Sequence, residues 1–214
     1  MKTTRRGFGT IALGAAVGAI SGTSVFSRKA PAQTRANHAN GVYDNGIIQL
    51  NQNESARGPG PKTMDAMHSH TTKRVGRGYS PDHVNELRQG VADYYNISTD
   101  NVQLATGSTP LLQGSVRAFC SADKTFVTPM PTYSTSLSTA RKLTQPKIEL
   151  PLGSDLGVDL DSLANNGEGA GLLYLCNPNN PTGTVHGPDA VEAFVRRVMR
   201  ENPDTYIHID EAFY

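Results

Sequence analysis

The chain has 214 residues, with 20 Lys+Arg against 19 Asp+Glu and a formal net charge of +1. Hydrophobic residues make up 37% and charged residues 18%, with 21 Gly and 13 Pro, which excludes a coiled coil, a collagen repeat or a disordered acidic tail and fits a loop-rich α/β protein. The near-neutral balance lacks the electrostatic footprint of nucleic-acid binding, and two cysteines, Cys120 and Cys176, exclude a disulfide framework.

Thr4-Arg5-Arg6-Gly7-Phe8 precedes an uncharged run from Ile11 to Val25, followed by Arg28-Lys29 and Ala30-Pro31-Ala32. A basic start, a weakly apolar middle and a small-x-small end read as an export signal over residues 1–32. The paired arginines before Phe8 resemble the twin-arginine type, so a periplasmic location is expected. The apolar run is short and poor in Leu and Phe, so a membrane enters only through an uncleaved signal. These residues hold five basic groups (Lys2, Arg5, Arg6, Arg28, Lys29) and no acid, leaving 15 basic and 19 acidic groups on the rest. A body with net charge −4 is an even poorer partner for nucleic acid or an anionic membrane.

Residues 33–62, rich in Asn, Gly and Pro, read as an arm, and residues 63–214 as the main domain. Pro61 to Thr72 and Pro81 to Tyr95 are predicted helices; in the second, Val84, Leu87, Val91 and Tyr94 mark one face. Val102 to Ala105 is a strand candidate, and a helix is expected from Pro110 to about Phe119. Thr125 to Thr128 follows as a strand, Tyr133 to Arg141 as a helix, and Ile148 to Leu150 as extended chain. Leu172 to Cys176 is a continuous apolar run suited to a buried parallel strand. Ala190 to Met199 carries Val191, Phe194, Val195 and Val198 on one side, and Tyr206 to Ile209 closes as a strand. The alternation predicts an α/β fold: a mostly parallel sheet with helices on both faces.

In such sheets ligands bind beyond the carboxyl ends of the strands, and three segments fall there. In Gly107-Ser108-Thr109-Pro110 a small-residue turn enters a helix with proline in its first turn. Open N–H groups, the helix dipole and two hydroxyls suit a phosphate, although an ordinary N-cap uses the same residues. Asn177-Pro178-Asn179-Asn180-Pro181-Thr182-Gly183 follows the buried run directly. Two prolines and three asparagines fix a rigid, donor-rich turn in which an Asn-Pro bond can be cis. That density exceeds what a plain connection needs. Asp210-Glu211-Ala212 ends the last strand, where Asp210 is suited to holding a cationic group and Glu211 points to the other side.

Taken together, the asparagine-rich motif and the strand ending in Asp210-Glu211-Ala212 resemble the class I/II aminotransferases, pyridoxal-phosphate enzymes of fold type I. Leu50-Asn51-Gln52-Asn53-Glu54 with Gly58-Pro59 is similar to the histidinol-phosphate aminotransferase-like branch, where this segment lies near the substrate. The resemblance runs from about Ile48 to Tyr214. It implies that Gly107, Ser108 and Thr109 cup the phosphate of pyridoxal 5'-phosphate and that Tyr133 lies on its ring. It gives Asn180 the phenolic oxygen, Asp210 the pyridinium nitrogen and Asn53 the substrate. Holding that nitrogen protonated makes the ring an electron sink. Tyr79 takes the position that reaches a neighbouring subunit's cofactor in a homodimer, or packs on the next helix. The implied partners are a small amino donor and a keto acid acceptor.

Two departures stand out. The family's tyrosine three places after the aspartate is Phe213 here, and Tyr214 cannot replace it because adjacent side chains on extended chain point oppositely. The family's Schiff-base lysine and substrate-carboxylate arginine lie downstream of the aspartate strand. None of Lys62, Lys73, Lys124, Lys142 or Lys147 stands in that lysine's context, so the expectation is an N-terminal portion with no catalytic lysine of its own. A non-catalytic truncated product, or a decarboxylase or lyase on the same scaffold, remains the alternative. Elsewhere, His68-Ser69-His70 reads as surface histidines rather than a metal pair, since residues two apart on a helix diverge. His208 is expected to pack or face a neighbouring helix, Cys120 and Cys176 to be small buried hydrophobes, and no Cys/His spacing suggests zinc.

Overall fold

The computed structural model describes Asn53, residues 58–71 and residues 81–213. The export signal, most of the arm, Tyr79 and Tyr214 lie outside these residues. The chain divides into two units between Ser80 and Pro81. The first contributes one described helix, α1 (Pro61–His70), opened by a proline in its first turn and exposed along its length. In its last turn His70 Nδ1 lies 2.8 Å from the Ala66 carbonyl oxygen and 3.1 Å from Ser69 Oγ.

The second unit is the α/β body. Its elements are α2 (Pro81–Tyr95), a 3-10 turn (Thr99–Asn101), α3 (Thr109–Phe119), β1 (Thr125–Met130), α4 (Thr135–Lys142) and β2 (Lys147–Pro151). They continue with α5 (Leu160–Asn165), β3 (Ala170–Cys176), α6 (Pro188–Glu201) and β4 (Tyr206–Asp210). The strands form one parallel sheet in the order β2-β1-β3-β4. The chain therefore winds outward from β1 to β2, then crosses back and winds the other way through β3 and β4. Because parallel crossovers are right-handed, reversing the winding moves the helices to the opposite face. The core shows this division. On one side Leu112, Val116, Leu137 and Ala140 of α3 and α4 pack on Phe126, Leu172 and Tyr174. On the other, Leu163, Phe194 and Val198 of α5 and α6 pack on Val127, Leu173 and Leu175. The two-residue period of a strand sends alternate side chains to the two cores, and β3, buried at all seven positions, serves both.

The direction of α3 fixes where the ligand edge lies. Ser115 Oγ is 3.0 Å from His208 Nδ1 in the middle of β4. One turn further on, Phe119 stacks on Tyr206 at the start of β4, with ring centroids 3.8 Å apart. A Cβ on Gly171, at the start of β3, would run into the Phe119 carbonyl, so this approach requires glycine. The helix thus runs antiparallel to the strands. Its first residue, six before Ser115, reaches about 9 Å further toward the carboxyl edge at about 1.5 Å per residue.

Three local expectations change. Val102–Ala105 is not a strand: Val102 is buried, but the segment pairs with no strand among the described residues. Extended propensity makes a strand only where a ladder partner exists. Helix α5, which the sequence reading omitted, is capped by Asp159, whose side chain accepts from the Ser162 N–H at 2.9 Å. The apolar face of α2 is exposed at Val84, Leu87 and Tyr94, and half-buried at Val91. His208 does face a helix, through Ser115, and both cysteines are buried free thiols.

Candidate functional site

Three segments meet at the carboxyl edge of the sheet. The first is the turn into α3. Gly107 adopts φ +74°, a region costly for residues with a side chain, and turns the chain into the helix. Ser108 occupies the N-cap, yet its hydroxyl makes no capping hydrogen bond. The Leu111 and Leu112 N–H groups both donate to the Ser108 carbonyl, at 3.0 and 2.9 Å. The N–H groups of Ser108 and Thr109 have no acceptor among the described residues, and Gly107, Ser108 and Thr109 are all exposed. An open helix N-terminus with unused donors and a favourable dipole is an anion site.

The second segment, after β3, is built differently. Its peptide bonds Asn177-Pro178 and Asn180-Pro181 are cis, as is Met130-Pro131 in the neighbouring loop after β1. Asn177 and Asn179 are buried. Asn177 clamps one residue from both sides: its Oδ1 accepts from the His186 N–H at 2.8 Å, and its Nδ2 donates to the His186 carbonyl at 3.0 Å. Asn179 Oδ1 accepts from Thr132 Oγ1 at 2.7 Å. Its Nδ2 donates to the Pro131 carbonyl at 3.2 Å and to Thr182 Oγ1 at 2.8 Å. The backbone closes the turn, with Gly183 N–H on the Asn179 carbonyl at 2.7 Å and Asn179 N–H on the Thr184 carbonyl at 2.8 Å. Of the three asparagines, only Asn180 keeps a side-chain amide without a partner among the described residues, and it is half-buried. The turn is donor-rich in sequence, but most of its donors are consumed internally.

The third segment is the end of β4. Asp210, 7% exposed, stands opposite Cys176 in the β3–β4 register. Its Oδ2 accepts from Tyr174 Oη at 2.9 Å and its Oδ1 from the Ala212 N–H at 3.2 Å, while its carbonyl accepts from the Asn177 N–H at 2.9 Å. It forms no ion pair among the described residues, so a nearly buried carboxylate has hydrogen bonds but no cation. Such a group favours a cationic neighbour. Sequence reasoning missed Tyr174, hidden in the apolar run. Burial, then Cys176 and Asp210, push its phenol well above the ordinary range, so it is a fixed donor. His208 lies edge-on to Tyr174, with centroids 5.8 Å apart, and burial lowers its pKa against the opposing pull of Asp210.

Tyr133 is half-buried against the α3–α4 core. Cys176 Sγ donates to the Pro178 carbonyl at 3.3 Å. Tyr133 and Asn180, both predicted site residues, are carried by loops that the Thr132–Asn179 hydrogen bond joins. Burial raises the pKa of Cys176 and pushes Cys120 up to about 11, so neither is a thiolate at neutral pH. Phe213 is 45% exposed and offers no hydroxyl. Asn53 is exposed and belongs to the first unit, and Tyr79 lies outside the described residues. The lysines described in the second unit, Lys124, Lys142 and Lys147, stand before β1, at the end of α4 and at the start of β2. All three are at the amino edge, across the sheet from Asp210.

The site thus lies where the winding reverses, between the loops after β1 and β3, as ligand sites in open parallel sheets do. Fold and site define an α/β protein with an open helix N-terminus, a buried carboxylate that has no cation among the described residues and a rigid asparagine loop at one sheet edge. The family model of aminotransferase class I and II matches residues 45–214, and the chain belongs to that family. It is 31% identical over 174 residues to the aromatic amino acid aminotransferase of Nocardia farcinica, covering 79% of this chain and 46% of that one. It is 30% identical over 169 residues to the histidinol-phosphate aminotransferase of Limosilactobacillus fermentum, covering 78% and 46%. The structure of histidinol-phosphate aminotransferase from Sinorhizobium meliloti in complex with pyridoxal-5'-phosphate matches with TM-score 0.64 and 27% identity, over 72% of this chain and 41% of that one. The chain spans about half the length of the curated relatives it matches.

Proposed function

We propose that the second unit binds pyridoxal 5'-phosphate and serves transamination between a small amino donor, an amino acid or amino-phosphate, and a keto acid. The observation that carries this reading is Asp210, buried, hydrogen-bonded and without a cation among the described residues, at the same sheet edge as the open N-terminus of α3. Donor set and cofactor chemistry agree. Ser108 and Thr109 N–H groups and hydroxyls bind the phosphate, and Asp210 holds a proton on the ring nitrogen. Asn180 donates to the phenolic oxygen, and Tyr133 offers a flat apolar surface to the ring. When bound, the cofactor supplies an aldehyde and an electron-withdrawing ring, the chemistry transamination needs. Tyr174 donates to Asp210 Oδ2 at 2.9 Å and so keeps the carboxylate oriented.

Resemblance to the histidinol-phosphate branch supports Asn53 as a substrate contact and Tyr79 as a contact across a homodimer. Both belong to this proposal, as does periplasmic export through residues 1–32. With Lys124, Lys142 and Lys147 at the opposite edge, binding by the second unit is non-covalent. Titration of the full chain with pyridoxal phosphate, followed by absorbance and calorimetry, is expected to give saturable one-site binding. Borohydride treatment and peptide mapping are expected to leave these lysines unmodified. A chain that fails to saturate ends the cofactor reading; a trapped lysine overturns the non-covalent one.

A further inference from the structure

We propose that Asn179 is a positioning residue: it locks the loop carrying Tyr133 to the loop carrying Asn180, setting their separation before any ligand arrives. The functional consequence rests on the pyridoxal phosphate reading of the site; the lock itself does not.

The two loops leave adjacent parallel strands at the point where the winding reverses, where nothing in the sheet ladder holds them together. The side chain of Asn179 spans the gap. It accepts from Thr132 Oγ1 at 2.7 Å and donates to the Pro131 carbonyl at 3.2 Å, across 47 and 48 residues of sequence, while its second N–H holds Thr182 Oγ1 at 2.8 Å. Asn179 is 3% exposed and Thr132 7%, so water does not compete for these bonds. Only a short carboxamide meets all three demands. Aspartate lacks both donors, serine lacks reach and a second donor, and leucine lacks every polar atom. Each loop also presents one residue to the ligand edge immediately beside the tie: Tyr133 follows Thr132, and Asn180 follows Asn179. The motif thus divides its asparagines: Asn177 anchors to His186, Asn179 fixes loop to loop, and Asn180 remains for the ligand.

Hydrogen exchange on the ligand-free full chain tests the lock. In Asn179→Ala, the amides of Tyr133 and Asn180 are expected to exchange at least about tenfold faster together, while Val198 in α6 is unchanged. Thr132→Val, nearly isosteric and leaving the 178–184 turn's own bonds intact, is expected to loosen both loops, and Thr132→Ser to restore them. It also serves as the readout if Asn179→Ala does not fold. Faster exchange at Thr132 and Tyr133 alone in the Val variant of Thr132, with Asn180 unmoved, overturns the proposal. A second arm uses pyridoxal phosphate and inorganic phosphate as probes. Asn179→Ala is expected to weaken pyridoxal phosphate about tenfold and inorganic phosphate less than twofold, and its effect on the former is expected to shrink in an Asn180→Ala background, where only Tyr133 remains to be positioned. Equal losses for both probes, or additive losses in the double variant, overturn it. Failure of the unaltered chain to bind pyridoxal phosphate refutes the cofactor reading instead, and the exchange arm still decides the lock.

Discussion

The turn before α3 and the loop after β3 face the same edge of the sheet, yet they treat their polar groups in opposite ways. The turn is exposed, its N-cap hydroxyl caps nothing, and its first N–H groups are free of acceptors among the described residues. The loop buries Asn177 and Asn179 and satisfies both amides within the protein. One region is finished by folding; the other is left for a ligand to finish. Pre-organisation of a rigid wall lowers the ordering cost of binding, while the unused donors supply the attraction. Composition does not tell the two apart, because both are runs of small polar residues with proline. Only their partners do.

The contrast breaks most sharply if a loop variant leaves stability untouched. Asn177→Ala removes both bonds to His186 and leaves an N–H and a carbonyl unpaired. The ligand-free chain is expected to lose about 2–6 kcal/mol in urea unfolding, at about 1–3 kcal/mol for each of the two abandoned groups. A loss below about 0.5 kcal/mol would show that the loop is not finished by folding. Asp210 is the informative intermediate, because it is buried with the loop but addressed to the ligand. Asp210→Asn keeps an acceptor for Tyr174 and removes the charge. Affinity for pyridoxal phosphate is expected to fall about 10- to 100-fold, the range for a charge-assisted bond. Stability without ligand is not expected to fall, since an uncompensated buried charge has been removed. A fall in stability with affinity unchanged would move Asp210 to the structural side of the comparison. Gly107→Ala gives a smaller effect on the open turn. The space around it is clear, so only the positive φ opposes the methyl, costing about 1–2 kcal/mol. If the turn yields to relieve that strain, phosphate affinity falls with little change in the urea midpoint, the reverse of the Asn177 result.

Much of this arrangement is legible from the sequence for a simple reason. Carboxyl ends of parallel strands share an edge, so recognising the strand before Asn177 and the strand before Asp210 places both segments together without any knowledge of contacts. The apolar run of β3 and the stripe of α6 are strong periodic signals. What the sequence hides is decided by register and by distant partners. Tyr174 looks like one more core residue until Cys176 is paired with Asp210, which brings the phenol to the carboxylate. Asn179 looks like a ligand donor until Thr132 and Pro131, nearly fifty residues away, take its amide. A six-residue helix such as α5 is too short for periodicity to speak. Val102–Ala105 and the apolar face of α2 show the converse error, since pattern announces a surface to be covered but not what covers it.

The smallest expected effect concerns the layer beneath the site, where His208 sits between Ser115 and Tyr174. Burial lowers its pKa below the ordinary 6.5 of the unfolded chain, with Asp210 pulling weakly the other way. As pH falls through 6.5, the unfolded chain takes up a proton that the folded chain refuses, so the unfolded state is favoured. His208 therefore supports the fold fully above pH 6.5, and that support is lost as pH drops through the lower folded pKa. The urea midpoint is expected to decline on acidification across this window, and His208→Gln, which keeps a hydrogen bond to Ser115 but does not titrate, is expected to flatten the decline. Pyridoxal phosphate affinity over the same window should track the decline if the layer under Asp210 helps finish the closed half. If the urea midpoint slopes equally in both proteins, the imidazole is not the titrating group, and the closed half draws its pH dependence from elsewhere.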